Sequence, residues 1–145
     1  MKTIRPNIFE TNSSSAHTIS FPCASACENI NPEPQTITAC GDGEYGWGYE
    51  ILTEPRELLD YWLVAVKDTG TDYSEEKRKA VIDYFFTKQI NLEIPESISE
   101  VTGYIDHQSV DRECRVLAGF IDNPAALFKF VFCPDTKIII DNDNH

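Results

Sequence analysis

The segment that most constrains the fold is residues 58–66, in which Asp60 is the only charged side chain. Pro55 lies where the first turn of a helix favours proline, and Gly70 follows as a break. A helix with almost no polar face has to be buried on most sides. We therefore predict a central helix from about residue 55 to residue 67, against which the rest of the chain packs.

Alternating or β-branched residues predict a sheet beside this helix. The predicted strands are residues 2–10 and 17–21, which form an opening hairpin, then 35–40, 101–105 and an internal strand at 137–140. Further helices are predicted after Ser74, over 112–120, and over 124–132 after Asp122 or Asn123.

The length of 145 residues and the hydrophobic content of 41% are typical of one domain with a real core. We therefore predict an α+β fold. It is a single domain, residues 1–145, with a mostly antiparallel sheet whose N-terminal β-hairpin packs against two to four helices.

A polar turn separates the two strands of the predicted hairpin. It contains Asn12, Ser13, Ser14 and Ser15, and His17 follows. Hydroxyls and converging backbone N–H groups can hold a phosphate, and serine beside histidine is the minimal pair for an activated nucleophile. The same residues also form ordinary turns without a ligand. The absence of a Gly-x-Ser-x-Gly motif argues against a serine hydrolase of that type.

Other polar residues follow the later predicted strands, and strand ends often meet at one rim of a sheet. We predict one pocket there, in which carboxylates and histidines hold Mg, Mn or Zn, and the metal polarises a phosphate. The predicted catalytic residues are His17, Asp106 and His107. The predicted ligand-binding residues are Asn12, Ser13, Ser14, Ser15, Trp47, Gln108 and Ser109. The predicted metal ligands are Asp106, His107, Asp141 and Asp143.

Each of these residues also has a structural interpretation. Trp47 either stacks on a base or packs in the core, and packing is the commoner use of such a residue. The final carboxylates can form a solvated acidic tail. A histidine such as His107 can be a hydrogen-bonded structural residue. The sequence does not decide between an enzyme and a binding protein.

The charge of the chain limits its partners. There are 24 acidic and 12 basic residues, a formal net charge of −12. This charge opposes direct binding to nucleic acid or to an anionic membrane and favours basic proteins. A phosphate-bearing ligand then needs short-range donors or a metal. A non-enzymatic acidic protein that blocks a basic surface is the alternative.

The five cysteines are an odd number without a repeated spacing, and no secretory apolar segment follows Met1. We therefore predict reduced thiols, no disulfide framework and a cytoplasmic location. The densest apolar run, at 58–66, is too short to span a membrane.

Several segments resemble a group of small proteins of phages and of bacteria that carry prophages. They are residues 5–17, 46–50, 104–109 and 141–144. The resemblance implies a phage setting and a shared fold, and it carries over no catalytic residue. The sequence thus predicts a phage-type accessory protein that binds, or binds and hydrolyses, a nucleotide-like ligand. The alternative is an anti-defence inhibitor that binds a basic host complex.

Overall fold

The computed structural model describes residues 15–21, 30–45, 49–105 and 111–142. The strands in this part of the chain are β1 (Ser15–Ser20), β2 (Gln35–Thr38), β3 (Glu44–Tyr45), β4 (Glu50–Leu52), β5 (Ile90–Glu93), β6 (Tyr104–Ile105) and β7 (Lys137–Asn142). The α-helices are α1 (Pro55–Asp68), α2 (Glu75–Thr87), α3 (Asp111–Gly119) and α4 (Pro124–Phe132). The predicted α+β fold is confirmed.

Helix α1 is the central helix that the sequence predicts. It begins with a capping box, in which the Glu57 carboxylate accepts a hydrogen bond from the backbone N–H of Glu54 at 3.2 Å. Every residue from Leu58 to Val66 is buried, including Asp60, which is 5% exposed. The apolar run therefore lies against other elements on nearly all sides, as its composition requires.

The largest sheet among the described residues has three antiparallel strands in the order β1, β7, β4. Strand β7 is central, so the prediction of an internal final strand is confirmed. Ile138 and Ile140 of β7 are fully buried and lie opposite Ile19 and His17 of β1, respectively. The first strand of the predicted hairpin, residues 2–10, lies outside the described residues.

Two parallel strand pairs accompany this sheet, β2 with β5 and β3 with β6. The sequence did not predict β3, β4 or β5. All three are short, and β5 starts three residues after α2 ends, which leaves too few residues between them for a separate hydrophobic pattern.

Helices α2 and α4 pack on each other by aromatic contact. Helix α2 begins after Ser74, whose hydroxyl accepts from the N–H of Lys77 at 3.2 Å, which confirms the predicted cap. Phe85 of α2 is fully buried, and its ring centroid lies 5.3 Å from that of Phe128 and 6.2 Å from that of Phe132 on α4. These rings join α2 to α4 without polar groups.

One expectation about the cysteines is wrong. Cys133 is disulfide-bonded, whereas Cys40 and Cys114 are not in disulfide bonds. An odd number of cysteines without repeated spacing does not exclude a single bridge. The cytoplasmic location that we inferred from reduced thiols stays a prediction. Among the described helices, none is both long and apolar enough to cross a membrane.

Candidate functional site

The structure describes only part of the predicted pocket. His17 is described with its side chain, and Ser15 and Asp141 are described as positions on β1 and β7. The other predicted site residues lie outside the described residues: Asn12, Ser13, Ser14, Trp47, Asp106, His107, Gln108, Ser109 and Asp143. Their roles stay predictions.

The antiparallel ladder places two of the predicted polar stretches side by side. Ser15, at the start of β1, lies opposite Asn142, and Ala16 lies opposite Asp141 near the end of β7. Ser15 of the serine segment and Asp141 of the acidic segment therefore lie at the same end of the sheet. The next pair along the ladder is His17 with Ile140.

The parallel pair β3–β6 ends at directly opposed residues, Tyr45 and Ile105. Trp47 comes two residues after Tyr45 in sequence, and Asp106 comes directly after Ile105. The C-terminal ends of adjacent parallel strands are a common position for ligand sites in α/β sheets. The predicted segments that contain Trp47 and Asp106 therefore both follow, in sequence, the same end of the β3–β6 pair.

Tyr61 of α1 links these two strand ends. Its hydroxyl lies 3.0 Å from Nδ1 of His17, a residue that is only 5% exposed. The same hydroxyl lies 4.0 Å from Sγ of Cys114 on α3. The ring of Tyr61 lies 5.0 Å from the ring of Tyr45, between centroids. Burial is the main cause that raises the pKa of Tyr61, so its hydroxyl stays protonated and can donate.

Asp60 holds the segment before β3 onto α1. Its Oδ1 accepts from the backbone N–H groups of Gly41 at 2.7 Å and Asp42 at 3.3 Å. Its Oδ2 accepts from the N–H of Gly43 at 3.0 Å and from the hydroxyl of Tyr45 at 2.6 Å. Successive N–H groups that converge in this way form an anion-binding nest. Here the bound anion is the chain's own carboxylate, which explains how α1 buries a charge.

Close backbone packing fixes the geometry on both sides of this nest. A Cβ atom at Gly43 would clash with the Tyr45 hydroxyl and lie 2.7 Å from Oδ2 of Asp60. A Cβ atom at Gly103 would clash with the carbonyl oxygen of Gly43. The carbonyl of Gly103 also accepts from Nζ of Lys67 at 2.6 Å. Glycine is therefore required where the β3 and β6 segments meet α1.

The electrostatic surroundings of Tyr45 are negative. Burial first, and then the hydrogen bond to Asp60, raises the pKa of Tyr45, and the nearby charges of Glu50 and Glu57 add to the effect. Negative potential favours a cation over a free anion. Within the described ranges, no group of three or more His, Cys, Asp or Glu side chains has an arrangement that could hold a metal.

Our reading of the sequence missed the residues that organise this region, which are Tyr45, Asp60, Tyr61 and Cys114. One signal was available for Asp60. A single charge inside an apolar helix has to find partners when the helix is buried. The partners themselves lie 15 to 19 residues away in sequence, and no local pattern identifies them.

No protein-family model matches this chain, and no match was found among curated proteins or among solved structures.

Proposed function

We propose that the protein binds a phosphate-bearing small ligand through a divalent cation, at the strand ends that meet beside Tyr61. The proposal rests on one continuous series of contacts. His17 contacts the Tyr61 hydroxyl, Tyr61 packs on Tyr45, and Tyr45 lies opposite Ile105. These contacts connect one end of the β1–β7 pair with one end of the β3–β6 pair. The predicted ligand and metal residues are adjacent in sequence to these two ends.

The charge of the region favours a cation as the bridge. Glu50, Glu57 and Asp60 all act on Tyr45 as negative charges. A free phosphate would be repelled by them and by the net charge of −12. A divalent cation reverses the local sign and can bind phosphate oxygens and carboxylates together. We therefore expect ligand binding to depend on the metal.

The described contacts of His17 favour an anchoring role. Its ring is buried, and its Nδ1 lies against the hydroxyl of Tyr61. This contact fixes the start of β1 on α1. The proposal is for binding, and the predicted catalytic roles of His17, Asp106 and His107 stay predictions.

Thermal denaturation with ATP and Mg²⁺ or Mn²⁺ tests the proposal. A ligand that binds only the folded state at about 100 times its Kd stabilises it by about 2.7 kcal/mol, which raises the Tm by several degrees. We expect Asp141→Asn and His107→Ala to remove the shift while the unliganded Tm stays close to that of the wild type. Asp135→Asn is the matched control, because Asp135 is an exposed carboxylate in the turn before β7.

Two results would contradict this proposal. One is a Tm that no combination of ATP, inorganic phosphate and metal changes. The other is a metal-dependent shift that Asp135→Asn reduces as much as Asp141→Asn does, since this would indicate diffuse binding to the acidic surface.

A second candidate function is the phage-type acidic inhibitor of a basic host protein. Exposed carboxylates favour it, because they far outnumber exposed cations on the described surface. The exposed carboxylates are Glu33, Asp42, Glu44, Glu50, Glu54, Asp72, Glu75, Glu76, Asp83, Glu93, Glu96, Glu100, Asp122 and Asp135. The exposed cations are Arg56, Lys79, Lys88, Arg112, Arg115 and Lys137.

Salt dependence distinguishes the two candidates. Binding to a basic protein should weaken steeply as ionic strength rises, whereas binding in a metal-bridged site should change much less. Capture of a nucleic-acid-binding host protein at low salt, with release at high salt and no ATP-dependent change in Tm, would favour the inhibitor.

A further inference from the structure

A separate groove lies at the start of the parallel pair β2–β5, beside the end of α2. Its volume is about 590 Å³, and it is lined by Pro34, Gln35, Thr36, Phe86, Gln89 and Asn91. This volume is within the range of small-molecule sites. None of these six lining residues carries a charge, although the chain as a whole carries −12.

Phe86 provides an exposed aromatic surface in this groove. It is 70% exposed, whereas its neighbour Phe85 is fully buried against Phe128. Helix α2 therefore directs one phenylalanine into the core and presents the next one to the groove. The face of an exposed aromatic ring can stack on another flat or apolar surface.

Carboxamides and a hydroxyl surround this ring. Nδ2 of Asn91 donates to Oγ1 of Thr36 at 3.3 Å, and Nε2 of Gln35 donates to the carbonyl oxygen of Glu33 at 3.1 Å. Each carboxamide has two donor hydrogens and an acceptor oxygen. The groove thus combines an aromatic face with neutral groups that both donate and accept hydrogen bonds.

Gln89 has an unusual backbone for its residue type. Its φ is +66°, in the left-handed region that glycine adopts most easily after a helix. Its carbonyl oxygen accepts from the N–H of Gln35 at 3.3 Å, and its own N–H donates to the carbonyl oxygen of Phe86 at 2.9 Å. Glycine would adopt this positive φ at a lower free-energy cost. The presence of glutamine at this position therefore supports a role for its carboxamide in the groove.

We propose that this groove binds a neutral hexopyranose sugar, with the sugar ring stacked on Phe86. A pyranose has an apolar C–H face and a rim of hydroxyls that donate and accept, which matches the aromatic and carboxamide groups of the groove. The lining has no charged side chain that could form an ion pair with a charged ligand. The nearby cation Lys88 is engaged elsewhere, since its Nζ lies 5.7 Å from the ring centroid of Tyr84 and 5.9 Å from that of Phe128.

Titration of the ¹⁵N-labelled protein with glucose, galactose, mannose, N-acetylglucosamine and their short oligomers tests this proposal. We expect one or more of these sugars to shift the resonances of Gln35, Phe86, Gln89 and Asn91 in a saturable way. Phe86→Ala should weaken binding by roughly tenfold or more, and Phe86→Tyr should retain it.

Gln89→Gly provides a test that separates binding from folding. It should weaken sugar binding while it raises the Tm, because glycine tolerates the positive φ better. Tyr104→Ala is the control, since Tyr104 is also exposed, at 50%, but lies on β6. We expect this control to leave the affinity for the sugar unchanged.

The proposal would be overturned if the folded protein bound none of these sugars. It would also be overturned if Phe86→Ala kept the wild-type affinity, or if uncharged nucleosides bound in the groove and sugars did not.

Discussion

Two buried regions of this molecule are held together by different chemistry. Around α1, the buried groups of His17, Asp60 and Tyr61 are joined by hydrogen bonds. Between α2 and α4, the contact consists of aromatic rings such as Phe85 and Phe128. Apolar contacts lose stability in proportion to the area and volume removed, whereas a polar network in a region of low dielectric depends on every partner. The α1 region is therefore the one that fixes particular atoms in place, as a binding site requires.

The largest effect should come from Asp60→Ala. This change leaves the N–H groups of Gly41 and Gly43 and the hydroxyl of Tyr45 without their acceptor. An unsatisfied buried donor costs about 1 to 3 kcal/mol, so we expect a loss of roughly 4 to 5 kcal/mol in the free energy of unfolding. Urea denaturation measures it, with Asp83→Ala on the exposed side of α2 as the control. A loss similar to that of the control would mean that the Asp60 network contributes little to stability.

Phe85→Ala should have a slightly smaller effect, of roughly 3 to 4 kcal/mol, because the side chain is fully buried but leaves no polar group unpaired. Conservative substitutions distinguish Phe85 from Asp60 more clearly than alanine substitutions do. Phe85→Leu should recover most of the stability by refilling the volume, whereas Asp60→Asn should recover little because its NH₂ group would face other donors. Equal recovery in both pairs would remove the distinction between the two regions.

High pH should destabilise the folded state through its buried tyrosines, two of which lie in the α1 region. Burial raises the pKa of both Tyr45 and Tyr61 above the ordinary value of 10.0. The tyrosines of the unfolded state therefore lose their protons first. Their titration leaves the free energy of unfolding unchanged below about pH 10 and lowers it as the pH rises further. Each tyrosine contributes a slope of about 1.4 kcal/mol per pH unit, so Tyr45 and Tyr61 together contribute about 2.7 kcal/mol per pH unit. Tyr73, whose pKa burial raises to about 12, adds a similar slope between pH 10 and about 12. Tyr45→Phe should therefore remove about 1.4 kcal/mol per pH unit from the total slope. Phe85→Leu should leave the slope unchanged, and a slope unaffected by Tyr45→Phe would contradict the assignment.

Tyr61→Phe should have the smallest effect, a loss of about 1 kcal/mol. The substitution keeps the ring and removes only the hydroxyl that contacts His17 and Cys114. The same substitution should reduce the metal-dependent binding of ATP, since it removes the contact between the Tyr61 hydroxyl and Nδ1 of His17. Unchanged binding with reduced stability would confine Tyr61 to a structural role.

The sequence predicted the elements with strong local patterns and missed those set by distant contacts. The apolar run around Trp62 identified α1, and Ser74 identified the start of α2. Strands β4 and β5 have three and four residues, so their pairing depends on partners far along the chain. The polar residues of the site were predicted from strand ends, whereas Tyr61 lies inside the apolar run and its local sequence indicates no separate role for its hydroxyl. Its partner His17 lies 44 residues away, and only the fold reveals that contact.

Paramagnetic broadening by Mn²⁺ in the presence of ATP tests the central claim most directly, because it locates the cation on the ¹⁵N-labelled protein. We expect substoichiometric Mn²⁺ to broaden first the backbone resonances of Ala16, His17, Ile105 and Asp141, which lie near the strand ends on either side of Tyr61. Broadening spread over the exposed carboxylates, or confined to the acidic first turn of α2, would contradict it.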